Sequence, residues 1–157
     1  IRVSKKELEI LIKNNLKYFM GRFMQKYPLY SSKTVDGKPL FSYARAGSRV
    51  KIPERAVFVK EIKLLKTKTI SRLRLLQHIE KRIQKVKGDF RQKEILEIWR
   101  KELKYNKKRF YIVDFKIKCE SGTYVRSISN SLGWKIGLPA LAYSIKRTKI
   151  GKWGKIQ

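Results

Sequence analysis

The stretch SGTYVRSISNSLG, residues 121–133, decides how the rest of the chain reads. Ahead of it, Tyr111, Val113, Phe115, Ile117 and Cys119 alternate with polar residues, the period-two pattern of a half-buried strand. Behind it, Val125, Ile128, Leu132 and Ile136 recur at helical spacing. Gly122 marks a turn between the two. The stretch is therefore a strand-to-helix corner that sets Tyr124 and Arg126 two residues apart. An arginine buried in such a corner needs a carboxylate beside it, so Arg126 is expected to face one. The plainer alternative is a corner whose Tyr124 and Arg126 only satisfy core hydrogen bonds.

Toward the N-terminus, Ser4 and Glu7 form a capping-box pattern. Leu8, Leu11, Ile12, Leu16, Phe19 and Met20 then follow helical spacing, and Gly21 can close the helix. Residues 27–47, YPLYSSKTVDGKPLFSYARAG, read as a loop in which Asp36-Gly37 makes a tight turn between two short extended arms. Residues 57–65 are β-branched and apolar, as in a strand. Over 67–108 the stripe Ile70, Leu73, Leu76, Ile79, Ile83 and Val86 ends at Gly88. Asp89 and Gln92 can cap a second helix carrying Ile95, Trp99 and Leu103. This αα-hairpin is expected to be a basic insertion, its charges either a solvated face or an RNA contact. Residues 142–150 alternate again and are expected to form a strand. The fold class is α+β, a single domain over 1–157 with a mixed, mostly antiparallel sheet and helices packed on it.

The formal net charge is +28, from 40 Lys and Arg against 12 Asp and Glu. Charge on that scale opposes compaction by self-repulsion and favours a polyanionic partner, RNA or DNA, over a merely solvated lysine surface. Cys119 is the only cysteine, which excludes an intrachain disulfide and a cysteine-built zinc site. His78, the only histidine, sits on a lysine-rich helical run and reads as a solvated helix face. No apolar run is long enough to cross a membrane and no signal-peptide pattern opens the chain, so a cytoplasmic protein is expected. Ile1, rather than methionine, leads directly into a helix, which suggests a cut or processed start. No phosphate-cradling GxxxxGK and no set of metal ligands is present. Asp36 suits a turn, Asp89 a cap, and Asp114 alternates away from the apolar face, so none is an obvious base or nucleophile. What remains suits RNA: Tyr30, Ser31, Lys33, Lys38 and Arg45 crowd one loop, where hydroxyls and cations reach phosphates and a tyrosine can stack on a base.

Three blocks then resemble the TruB-type tRNA pseudouridine synthases, the bacterial pseudouridine synthase II family. YPLYSSKTVDGKPLFSYARAGSRVKIPERAVFVKEIKLL is similar to that family's segment Q-x-P-P-x-Y-S-A-x-K-x-x-G-K-x-x-Y-x-x-A-R-x-G. CESGTYVRSISNSLG resembles its C-S-x-G-T-Y-I-R-x-L-x-x-D-L-G, and SIKRTKIGKW its L-R-R-T-x-V-G-x-F. The blocks stand in family order and span about residues 1–66 and 109–154, with only a short connection implied where 67–108 lies.

The resemblance implies a partial pseudouridine-synthase fold, the C-terminal part of the catalytic domain. It implies isomerisation of a uridine at position 55 in the tRNA T loop, without metal or cofactor. The base is flipped out, an aspartate attacks, the glycosidic bond breaks, and the base turns over to form a carbon–carbon bond. Tyr124 then matches the tyrosine packing on the flipped base, and Arg126 the arginine paired with the catalytic aspartate. Ile145 falls at the apolar wall of the uracil pocket. Lys146 and Arg147 beside it join the RNA-binding set, and the 27–47 loop matches the segment gripping the T stem-loop. A monomer binding tRNA is expected. The chain departs from the family in lacking the G-x-L-D-P-x-A-x-G motif with its nucleophile, so it is expected to be inactive alone, with a non-catalytic RNA-binding protein as the alternative. Locally, Ser32 replaces the usual alanine, Ser42 the usual glutamate, and Asn130 or Ser131 the acidic residue before Leu-Gly.

Overall fold

A computed structural model of the chain describes residues 3–88, 90–105 and 109–151. It is α+β and divides into two compact units, one of Ile1–Leu64 with Phe115–Gln157, the other Leu65–Asp114.

The first unit begins with α1 (Lys5–Leu16), opened by the capping box that the sequence announces. Ser4 Oγ accepts from the Glu7 N–H at 3.2 Å, and Glu7 Oε2 accepts from the Ser4 N–H at 2.7 Å. That pair of bonds to Ser4 holds the Glu7 carboxyl below its usual range. Leu8, Ile12 and Leu16, one turn apart, form the buried stripe. The helix stops earlier than Gly21: a 3-10 turn covers Lys17–Phe19, and Gly21, at φ +75°, starts a strand. This strand, β1 (Gly21–Lys26), lies antiparallel to β4 (Glu54–Ile70), with Phe23 opposite Val57 and Gln25 opposite Arg55. The sheet order is β1–β4–β5, β5 being Phe110–Cys119.

Between β1 and β4 the expected loop carries more structure than its composition suggests. β2 (Thr34–Val35) and β3 (Lys38–Pro39) pair across Asp36 and Gly37, both at positive φ, 47° and 75°. Two left-handed residues in succession are what a two-residue hairpin turn requires. A short helix, α2 (Leu40–Ala46), follows directly and buries Leu40 completely. The corner leads into α5 (Val125–Lys135), which buries Ile128 and Leu132 and packs on α1. Val57, Val59, Ile62 and Phe19 complete this core.

The second unit contains α3 (Arg72–Ile83) and α4 (Gln92–Lys104), packed on each other as a hairpin. β4 persists to Ile70, so the expected start of the hairpin is still strand, and Ile70 belongs to β4 rather than to the helical stripe. Val86 likewise lies beyond α3. Arg91, at φ 60°, is the N-cap of α4. The Gln92 amide closes the turn, accepting from the Phe90 N–H at 2.8 Å and donating to the Gly88 carbonyl at 2.6 Å. Asp89, the other expected cap, lies outside the described residues.

Two expectations fail. Residues 141–149 form no strand; only Ile150 makes an isolated bridge. Alternation there is carried by residues that are exposed from Ser144 to Ile150, so no covered face rewards pairing. In β5 the residue buried outright is Ile112, while Tyr111 and Cys119 are exposed. The second unit buries Thr67, Leu103 and Ile112, so that end of the strand is covered on the face carrying Ile112. Asp114 pairs with Lys68 at 3.4 Å. Among the described residues no helix is long and apolar enough to cross a membrane.

Glu61 of β4 is held between Lys118, at 2.8 Å, and Lys63. The Lys118 hydrogen bond, then that of Lys63, lowers its carboxyl from 4.5 to about 2. A depressed folded-state value favours the folded chain above pH 4.5, and the contribution fades as pH falls toward 2. Glu61→Gln should therefore lower urea resistance at neutral pH. Its gap from the wild-type chain should shrink progressively between pH 4.5 and 2, followed by fluorescence-monitored unfolding.

Candidate functional site

The corner is built on Gln25. This side chain is buried on β1, and its amide meets the backbone of Tyr124 twice. Oε1 accepts from the Tyr124 N–H at 2.8 Å, and Nε2 donates to the Tyr124 carbonyl at 3.1 Å. The amide thus imitates one rung of a strand ladder across 99 residues of chain. The same carbonyl accepts from the N–H groups of Ser127 and Ile128, the first bonds of α5. Tyr124 is the N-cap of that helix at φ −87°, ψ 92°. A tyrosine has no short side-chain acceptor to offer there; the Gln25 amide steadies the helix start instead.

Before it, the Glu120 N–H donates to the Phe58 carbonyl at 3.0 Å, and Gly122 sits at φ +82°. A Cβ on Gly122 would lie 2.1 Å from an Arg55 guanidinium nitrogen. Glycine is required here for its backbone angle; the Arg55 guanidinium, the end of a flexible side chain, can swing clear of a methyl group. Arg55 stands opposite Gln25 in the β1–β4 register, so the two neighbours hold the corner from adjoining strands.

The side chains of the corner form a chain of cations and rings. Arg126 Cζ lies 5.6 Å from the centroid of the Tyr124 ring. Tyr124 meets Tyr27 edge-on at 5.7 Å and 66°. Lys33 Nζ lies 5.7 Å from the Tyr27 centroid. Arg126 Nη2 also donates to the Tyr30 carbonyl at 2.6 Å. Tyr30, Lys33, Tyr124 and Arg126 are thereby brought together, with Tyr27 linking them.

Arg126 is not buried, contrary to the sequence expectation. It lies two residues before Ile128, roughly 200° around the helix from the buried stripe. Among the described residues it makes no ion pair; its acceptor is the neutral Tyr30 carbonyl. A guanidinium has five N–H donors, so most of this fork stays open to an anionic oxygen.

The other expected residues take separate places. Ser31 is buried; its carbonyl accepts from the Phe41 N–H at 3.2 Å, and among the described residues its hydroxyl has no partner. Lys38 is exposed on β3. Arg45 is exposed near the end of α2, with Cζ 5.4 Å from the Phe41 centroid. The Tyr43 hydroxyl donates to the Val35 carbonyl at 3.0 Å and ties α2 to the small hairpin. Ile145 is 52 % exposed, and Lys146 and Arg147 are exposed beside it on the irregular segment after α5. Among the described residues no cluster of His, Cys, Asp and Glu is placed to hold a metal ion.

Sequence reasoning overlooked Gln25, Tyr27 and Arg55. Only Tyr27 carried a local signal, an aromatic at the head of the loop. The roles of Gln25 and Arg55 arise from strand register, which no local pattern contains.

A half-exposed aromatic beside an open guanidinium, next to a cation-bearing hairpin, is an arrangement that accepts an anionic, ring-bearing ligand. Nucleic acid is one such ligand. A family model described as "TruB family pseudouridylate synthase (N terminal domain)" matches residues 3–88. The chain belongs to the TruB family. Among its relatives, a protein of Ligilactobacillus salivarius named "tRNA pseudouridine synthase B" is 29% identical over 151 residues, 96% of this chain and 39% of the relative. Its namesake in Lactobacillus acidophilus is 31% identical over 136 residues, 87% of this chain and 34% of that protein. The one in Wigglesworthia glossinidia brevipalpis is 31% identical over 139 residues, 88% of this chain and 30% of its own length. The chain thus spans between 30% and 39% of the length of these three relatives.

Gly122→Ala should destabilise the fold by about 1–3 kcal/mol through the left-handed backbone angle. The Arg55 guanidinium moves aside at little cost, so the same substitution should cost about as much in an Arg55→Ala background, measured by chemical denaturation. A markedly smaller cost in that background would show that Arg55 is held rigidly against the turn.

Proposed function

We propose that this chain supplies the T-loop grip and one wall of the uridine pocket of a tRNA pseudouridine synthase. The observation that carries the reading is the linkage of Lys33, Tyr27, Tyr124 and Arg126 through successive ring contacts, together with the Arg126–Tyr30 bond. The segment expected to grip RNA and the corner expected to hold the base are one structure. Tyr124 packs against the uracil flipped from the T loop. Arg126 offers its open donors to the attacking carboxylate and keeps it ionised, as a guanidinium does for any close carboxylate. Ile145 supplies an apolar wall once RNA is bound. Tyr30, Lys33, Lys38, Arg45, Lys146 and Arg147 contact the T stem-loop phosphates and bases, and Ser31 holds the loop from within. The chemistry draws on no metal or cofactor.

The nucleophile is the group this sequence does not contain: no G-x-L-D-P stretch occurs in its 157 residues. The reading therefore assigns isomerisation to these residues together with a carboxylate from outside them. Residues 67–108 are an insertion relative to the family pattern, and the protein works as a cytoplasmic monomer. One observation also favours a non-catalytic RNA-binding protein: Arg126 has a neutral acceptor and, among the described residues, no carboxylate. The coding sequence ahead of Ile1 separates the two readings. A G-x-L-D-P-like stretch there supports the enzyme, and an initiation codon beside Ile1 supports the binding protein.

The 157-residue chain should bind a T stem-loop with an affinity that falls steeply with salt, measured by fluorescence anisotropy. Lys33→Gln with Lys38→Gln should flatten the salt dependence by about 2 in log–log slope if both cations contact duplex phosphates. The chain alone should form no pseudouridine in unmodified tRNA. Catalytic turnover by these residues would overturn the assignment of an external nucleophile.

A further inference from the structure

The α3–α4 hairpin is absorbed by none of the chemistry above; cations lie on both helices, but α3 holds a single carboxylate. Facing solvent on α3 and the turn that follows are Arg74, Lys81 and Lys85, all exposed. Arg74 and Lys81 are about 10 Å apart along the helix, and Lys85 is one further turn on. The only carboxylate of α3, Glu80, is turned inward to Arg100 of α4, whose Nε and Nη2 both donate to Glu80 Oε1, at 2.9 and 2.8 Å. Glu94 is paired with Arg91 at 2.5 Å. Arg74, Lys81 and Lys85 have no ion-pair partner among the described residues. Glu97 and Glu102, without an ion-pair partner among the described residues, belong to α4.

At the end of the hairpin where α3 begins and α4 ends lies a groove of about 290 Å³. Leu73, Leu76 and Leu103 give it apolar walls, and Arg72, Arg100 and Lys104 give it cations. Arg72 is fixed there by donating to the Leu103 carbonyl at 3.4 Å and to the Lys104 carbonyl. Tyr105 follows directly and is 78 % exposed, its ring 5.1 Å from Lys104 Nζ. Leu73 is 62 % exposed. An exposed tyrosine and an apolar groove among cations, joined to a basic helix stripe, are the components of a single-strand nucleic-acid surface. Flat bases stack on the ring or enter the groove while the backbone follows the charge.

We propose that the α3–α4 hairpin is a second RNA-binding surface of this chain, taking unpaired RNA. One base stacks on Tyr105 at the groove and the adjoining phosphates lie along Arg74, Lys81 and Lys85. Unpaired RNA fits better than a duplex because an exposed aromatic ring gains nothing from bases already stacked in a helix. The inference rests on the reading above only in taking RNA as the polyanion. It places a contact outside the T-loop grip.

The test uses the full chain and fluorescent oligouridylate, with a T stem-loop as the second ligand. The combined variant Arg74→Gln, Lys81→Gln, Lys85→Gln should reduce the salt slope of oligouridylate binding by about 2, at 0.7 per lost single-strand phosphate contact. Tyr105→Ala should weaken binding at fixed salt at least about fivefold, the lower end for loss of one base stack, and leave the slope unchanged. All four side chains are exposed, and circular dichroism checks that the variants fold. Unchanged oligouridylate binding in both hairpin variants overturns the proposal. If Lys33→Gln with Lys38→Gln still weakens T stem-loop binding in that case, the functional reading survives it. If only the hairpin variants lose affinity for their ligand, the T-loop grip fails and the hairpin stands. Competition by polyglutamate or duplex DNA as effective as that of oligouridylate overturns the assignment to unpaired RNA.

Discussion

The two hydrogen bonds between the Gln25 side chain and the Tyr124 backbone are the constraint on which this structure's corner depends. A buried amide must satisfy both its donor and its acceptor or lose stability. Gln25 does so on the N–H and the carbonyl of one residue, Tyr124, which is also the cap of α5. The position of Tyr124 then follows from the register of β1 on β4, and that of Arg126 from the helix Tyr124 begins. Arg55, opposite Gln25, brings its guanidinium close to Gly122, whose left-handed angle forms the turn. Strand register and side-chain placement at the corner are in effect one variable.

The chain carries its large positive charge without burying it. Carboxylates are spent singly where they hold structure: Glu7 at a helix cap, Glu61 between two lysines, Glu80 against Arg100. Most of the remaining cations are left on the surface. Neither Arg126 nor the α3 stripe has an acidic partner among the described residues. Such a surface gains most from a ligand that supplies the missing anions.

Local signals made much of the fold legible. Ser4 with Glu7, the Leu8–Ile12–Leu16 stripe, the Asp36-Gly37 turn and the Ile128–Leu132 pair each state their structure within a few residues. Elements whose reason lies elsewhere were not legible. β1 reads GRFMQK, with no clean alternation, and exists because β4 lies beside it. α2 is seven residues long with Ser42 inside it, too short for periodicity to show. Residues 142–150 fail in the opposite sense, since their alternation finds no covered face. At the candidate site, Tyr124 and Arg126 were picked out by a motif of fixed spacing, and Tyr30 and Lys33 by the crowding of aromatic and basic residues in one loop; the structure brings these four together. Gln25 and Arg55 were missed because a buried amide and a packed guanidinium look, in sequence, like any polar residues on a strand edge.

The most direct test is amide hydrogen exchange at Tyr124, read by NMR. If the Gln25 side chain holds this N–H, it should exchange as slowly as ladder amides of β1 and β4. Replacement of Gln25 by alanine should then release it, while the β4 amides near Val57 keep their protection. A Tyr124 amide that exchanges in the wild-type chain as fast as those of residues 141–149 would contradict the account.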